Sequence, residues 1–257
     1  MKSVVAIAKR ETWSFFVSPI AYFVLSGFFI IAAYFFFNLL GQYNFYLQRA
    51  SMMPMGGPRP NLNEWVVEVL FQTIVVVLVF LVPFLTMRML SEEKRTGTFE
   101  LLITSPLSVN DIVVGKFLGV LVIVGLMVGA ISAFPLLLVY YGTPGPEIGP
   151  IITGLIGLFL CAASFVSLGM AVSCFTVNQV VAGITGMVVL LLLYMIQTAG
   201  QSIGGEAERI LSYLSPIEHL KGFFKGVISL KGIFYFFSVI WVGLFFSQRA
   251  LESYRWR

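Results

Sequence analysis

Charge is scarce in this chain. Asp, Glu, Lys and Arg make up 11% of its 257 residues against 58% hydrophobic residues, and the mean hydropathy is +0.94. A soluble domain carries about 25% charged residues and could not hide so much apolar surface from water. The composition therefore specifies an integral membrane protein. Its net charge of +4 is small and fits anchoring residues beside a membrane, not a nucleic-acid interface.

Histidine and cysteine are sparser still. His219 is the single histidine, and Cys161 and Cys174 are the only cysteines. Both cysteines fall in one apolar run, so no disulfide framework is expected. Residues this scattered make no metal site, and His219 has no Ser and Asp partners on a shared face from which a hydrolase triad would be built. No GxxxxGK[ST] phosphate loop occurs, because Gly115 and Lys116 are followed by Phe117. No nucleotide site or other cofactor site is expected in this chain. The N-terminal MKSVVAIAKRETW lacks the long apolar core of a removable signal peptide. Charge is also missing from the middle of every long apolar run. A carrier that powers itself keeps ionisable groups at mid-membrane depth, and a charge-selective pore is ringed by them. Both classes are disfavoured. What is left is a bundle with uncharged walls, suited to apolar or amphiphilic cargo or to transmitting movement.

Six apolar runs are candidates to cross the hydrocarbon core; five reach about the 20 residues that a helix needs and the sixth falls somewhat short. They lie at about 19–40, 65–87, 112–140, 151–175, 180–200 and 232–247, the last being the shortest. The expected fold is all-α, one transmembrane domain over 1–257. Residues 1–17 are broken by Lys9, Arg10 and Glu11 and read as a short helix in the membrane interface, with Val4, Ile7 and Ala8 on one face. The segment 41–63 contains SMMPMGGPRPN and reads as an exposed loop. In the third span Gly115 and Gly119 are four apart, as are Gly125 and Gly129, a spacing that lets a second helix come close. The fourth span is lined by Gly154, Gly157, Ala162, Ala163, Ser164, Ser167 and Gly169 and should pack deep in the bundle. Within 201–231, Ser215, Pro216 and Glu218 read as N-cap, first helical residue and capping box. Ile217, Leu220, Phe223, Phe224, Val227 and Ile228 follow at helical spacing. This helix lies on the outer membrane surface or forms a re-entrant hairpin dipping into it.

With six spans both termini share a side. That side collects ten of the Lys and Arg residues and the other collects six, so the termini are placed in the cytoplasm. The loop 91–111 falls on the same side. It carries Glu92, Glu93, Lys94, Arg95, Glu100 and Asp111, an island of charge between two spans, with Lys116 at the base of the third span. Thr98 to Thr104 can form two helical turns, with Phe99, Leu102 and Ile103 as an apolar knob and the charges facing water. Ser105 before Pro106 disfavours helix there. Ser108, with Asp111 three residues later, caps the start of the third span.

This stretch, EEKRTGTFELLITSPLSVNDIVVGKFLG, resembles the first cytoplasmic loop of ABC-2 type permeases, the six-span membrane subunits of one class of ATP-binding-cassette exporters. The resemblance rests on Glu92-Glu93, Arg95-Thr96-Gly97-Thr98, Glu100-Leu101-Leu102, Ser105-Pro106-Leu107-Ser108 and Gly115-Lys116. LSPIEHLKGFFKGVI is similar to the extracellular hairpin of that family. The chain looks most like the gliding-motility-associated subgroup, and next the copper-enzyme-maturation permeases. The resemblance implies a coupling helix at Glu92, Glu93, Lys94, Arg95, Thr98, Glu100, Leu101 and Leu102, seated in a groove of a separate ATPase subunit. It implies two such ATPase subunits, which hold the ATP and Mg, and a second permease, identical or homologous. Gln72, Thr73 and Gln197 are the implied path or interface residues. The expected function is export of a substrate across the cytoplasmic membrane of a prokaryote. The alternative keeps the architecture but has the complex do mechanical work on a periplasmic or membrane partner, through an auxiliary subunit, without moving solute. A membrane scaffold or enzyme without a motor is the third class; co-purification of an ATPase subunit separates it from the other two.

Overall fold

A computed structural model describes residues 2–52, 61–98, 107–142, 145–203 and 205–255. Among them the chain is helical, with no strand. In order come α1 (Lys2–Val17), α2 (Pro19–Ser51), a π-helical turn (Asn63–Glu68) leading into α3 (Val69–Thr86), α4 (Ser91–Thr96), α5 (Val109–Ile131), α6 (Ala133–Tyr141), α7 (Ile148–Phe175), α8 (Gln179–Ile203), α9 (Gly205–Leu214), α10 (Pro216–Phe224) and α11 (Leu230–Arg255). Six stretches are long and apolar enough to cross a membrane: Ala21–Ala50, Asn63–Thr96, Val109–Tyr141, Ile148–Phe175, Gln179–Gly200 and Leu230–Tyr254. The all-α, six-span expectation holds. Large apolar side chains such as Phe23, Ile30, Leu192, Phe234 and Trp241 are exposed on the bundle's outside, where lipid takes the place of water.

Two helices outrun their apolar runs. α2 continues past Leu40 to Ser51, so the first part of the expected 41–63 loop, through Ser51, is helix. Nothing in GQYNFYLQRAS breaks a helix; Pro54 is the first residue that does. Gln42 Nε2 donates to Asn38 Oδ1 at 2.6 Å, and the Arg49 guanidinium lies 4.6 Å from the Phe45 ring centroid. Likewise α11 extends beyond Ser247 to Arg255, making it longer than α8. Its last turns are helped by Arg249 and Glu252, paired at 2.9 Å. The final span is therefore not the shortest.

The fourth span is the most enclosed, as its small residues require. A Cβ at Gly154 would lie 2.4 Å from the Phe71 ring, and one at Gly157 would lie 2.8 Å from Phe223 Cβ. α3 and α10 therefore rest directly on the α7 backbone. α10 carries its buried Leu220, Phe223 and Phe224 inward to α7. The chain then reverses at Gly226, whose φ of +85° favours glycine, and enters α11. Pro216 opens α10 as expected, but the capping box does not form. Among the described residues Ser215 Oγ is buried without a partner. Glu218 turns instead to Gln197 Nε2 at 3.0 Å and Lys221 Nζ at 2.6 Å. His219 fastens this segment to α11: its ring stacks on Tyr235 at 4.1 Å, and Nε2 lies 2.9 Å from the Tyr213 carbonyl.

Candidate coupling site

After Thr86 the backbone leaves α3 through a turn over Met87–Leu90 and re-enters helix at Ser91. α4 has only six residues, SEEKRT. Glu92 and Glu93 lie at its positive end and Lys94 and Arg95 at its negative end, the order the helix dipole favours. Gly97, at φ +73°, stops it in the left-handed conformation. A helix this short has no stability of its own, so its side chains have to hold it.

They do so in three directions. Glu92 pairs with Arg88 at 2.9 Å, and Arg88 Nη1 donates to Ser18 Oγ at 3.0 Å, at the junction of α1 and α2. Glu93 Oε1 lies 2.9 Å from Lys116 Nζ on α5, and the same ammonium lies 3.1 Å from Glu11 Oε2 on α1. The Lys116 side chain is 3% exposed. Lys94 donates to the carbonyl of Cys174 at the end of α7 and lies over the Tyr254 ring of α11 at 4.0 Å. The charges were expected to face water, and for Glu93 and Lys94 that is corrected: both turn into the bundle. Arg95, Thr96 and Thr98 are exposed and Glu92 is half-buried. Glu100, Leu101 and Leu102 lie outside the described residues, as do Phe99, Ile103, Ser105 and Pro106 and hence the expected turns and apolar knob.

α1 is bound along the first turns of α5. Ser3 Oγ donates to Asp111 Oδ2 at 3.0 Å, and Thr12 Oγ1 donates to Gly119 O at 3.1 Å. A Cβ at Gly115 would lie 2.8 Å from Ile7, and one at Gly119 would lie 2.6 Å from Glu11 Cβ. Positions 3, 7 and 11 thus match 111, 115 and 119 turn for turn, and the two helices run parallel. The first glycine pair serves close approach as its spacing implied, with α1 as the partner. Ser108 accepts from Asp111 N–H at 3.1 Å, the expected cap of α5. Arg10, Glu11, Arg88, Glu92, Glu93 and Lys116 border a cavity of about 230 Å³ between α1 and α4. Burial pushes the Glu11 carboxyl above its ordinary range, and the neighbouring Lys116 opposes that rise.

The other expected residues do not gather. Gln72 is exposed and bonds Glu68 at 3.2 Å; Thr73 bonds Val69 O in its own helix at 2.8 Å; Gln197 is buried against Glu218. Sequence reasoning missed Glu11 and Lys116 as partners of the loop. A lone lysine in an apolar run was the available signal, since such a group needs a counter-charge. Among the described residues no cluster of three or more His, Cys, Asp or Glu forms a metal site.

No curated protein matches the chain. The family model described as ABC-2 family transporter protein matches residues 5–247. With six spans and a charged loop between the second and third, the chain belongs to the ABC-2 family of transporter proteins, multi-pass membrane subunits that partner an ABC ATPase.

Proposed function

We propose that this chain is the permease of an exporter and that its separate ATPase subunit seats against α4 and the residues that follow it to 106. The observation that carries the reading is the two-sided construction of α4. Its inner side is tied to α1 and α5 through Lys116 and to α7 through the Cys174 carbonyl, while Arg95, Thr96 and Thr98 are left exposed. A helix fixed on one side and open on the other suits the transfer of a push. ATP and Mg belong to the partner subunit. Two permease copies and two ATPase subunits complete the assembly, with the termini and α4 on the cytoplasmic face of the inner membrane. The uncharged span walls support a cargo that is apolar or amphiphilic.

The test is co-purification of the chain with its ATPase subunit from detergent extracts. Arg95→Glu with Thr98→Trp should lower recovery of the ATPase subunit about tenfold, the effect of losing roughly 1.4 kcal/mol, without shifting the melting temperature of the permease. Undiminished recovery sinks the reading.

A further inference from the structure

The turn between α3 and α4 frees backbone amides from their helical partners, and freed amides in a buried place need acceptors. Met89 N–H reaches Thr86 O at 3.1 Å. Leu90 and Ser91 N–H both donate to one atom of another helix, Ser173 Oγ on α7, at 3.3 and 3.2 Å. That hydroxyl donates in turn to Met87 O at 3.3 Å, and Ser91 Oγ donates to the same carbonyl. Leu90, Ser91 and Ser173 are each 0% exposed. One turn back on α7, Gly169 admits Thr86, whose Oγ1 lies 2.3 Å from where a Cβ would stand. One residue on, the Cys174 carbonyl takes the Lys94 ammonium, a cation at a helix C-terminus where the dipole favours it.

We infer that Ser173 is a positioning residue that seats the α3–α4 break on α7, so that displacement of α4 carries α7 with it as one body. The inference rests on the reading of α4 as the seat of the ATPase subunit. A break between helices is ordinarily a hinge. Here a swing of α4 away from α7 strands two buried N–H groups and uncaps the end of α7, whereas joint movement of α4 and α7 breaks neither contact. The cheaper motion is the joint one.

The test uses the full chain with its ATPase subunit in nanodiscs, with Cys161→Ala and Cys174→Ala as background. Glu147→Cys, at the exposed N-cap of α7 and outside the span, reports through its labelling rate by a membrane-impermeant maleimide, with and without ATP and vanadate. With Ser173 intact, nucleotide changes that rate by about threefold or more, the scale of a shifted two-state population. Ser173→Ala abolishes the change while the ATPase subunit stays bound and hydrolysis continues, and Ser173→Thr retains it. Ser91→Cys with Ser173→Cys behaves like Ser173→Ala when reduced. It recovers the response when oxidised, because the disulfide then supplies the tether between the break and α7 that the hydrogen bonds supplied. A response abolished by the disulfide, unaffected by Ser173→Ala, or absent with Ser173 intact overturns the inference. Failure of the ATPase subunit to co-purify with Ser173 intact is a separate observation; it removes the seat itself and the inference with it.

Discussion

Lys116→Met removes the cation shared by α1, α4 and α5. The lysine is 3% exposed and holds two carboxylates at 2.9 and 3.1 Å, on side chains that are themselves 18% and 16% exposed. At the effective dielectric of such sites each contact is worth about 5 kcal/mol of attraction before desolvation is counted. Desolvation cancels most of it, but taking away one partner leaves the others buried and unmatched, at about 3–5 kcal/mol. In a chain of this size that lowers the melting temperature by about 10 °C, read by tryptophan fluorescence in one detergent. Glu11→Gln with Glu93→Gln on the Lys116→Met background should recover at least half of the loss, because an uncharged replacement of a whole buried ion cluster is close to neutral. A melting temperature for Lys116→Met within about 2 °C of the parent, or a triple variant as unstable as the single one, refutes the assignment of Lys116 as the joint between these helices.

Gly119→Val places a Cβ 2.6 Å from Glu11 Cβ and 3.0 Å from the Ala8 carbonyl; overpacking by about 1–3 kcal/mol should lift α1 off α5 and speed tryptic cleavage at Lys9 and Arg10. Ser108→Ala loses the α5 cap and about 1 kcal/mol, visible as a lower melting temperature, whereas Ser215→Ala removes a buried hydroxyl with no described partner and should leave stability unchanged or raised. Glu11 is raised by burial above its ordinary 4.5, so between 4.5 and that raised value the folded chain binds the extra proton and stability falls as pH rises. Glu11→Gln should flatten that decline in melts taken across the window.

The spans were legible because the hydrocarbon core imposes one demand on every crossing helix, and hydropathy reads that demand directly. Hydropathy marks where lipid ends, not where the helix ends, which is why α2 beyond Leu40 and α11 beyond Ser247 were missed. The Ser215 cap failed for a different reason. Glu218 has two long-range or side-chain competitors, Gln197 and Lys221, and a local motif carries no information about the first. The Asp111 carboxylate is likewise taken by a distant residue, Ser3, yet Ser108 still accepts from Asp111 N–H, and that half of the local rule held. For Gln72, Thr73 and Gln197 no converging geometry emerged, since polar residues near span ends satisfy themselves within their own helix or the neighbouring hairpin.

The run Glu92-Glu93-Lys94-Arg95 holds the sharper lesson. Read as a string, four adjacent charges look like a solvated turn. Read as a helix, they cannot share a face, because successive side chains point about 100° apart. On any helix resting against a bundle, some of the four must point inward, and an inward charge demands a partner. Glu93 finds Lys116, and Lys94 finds the end of α7. The consequence is mechanical. Through α4, supported by Ser173 and by Arg88 on Ser18, the loop is tied to α1, α5, α7 and α11 at once. On the proposed seating of the ATPase subunit, a push delivered at the exposed residues after Arg95 therefore has no path that moves α3 alone. It acts on the parallel pair α1 and α5 on one side and on the most enclosed span, α7, on the other.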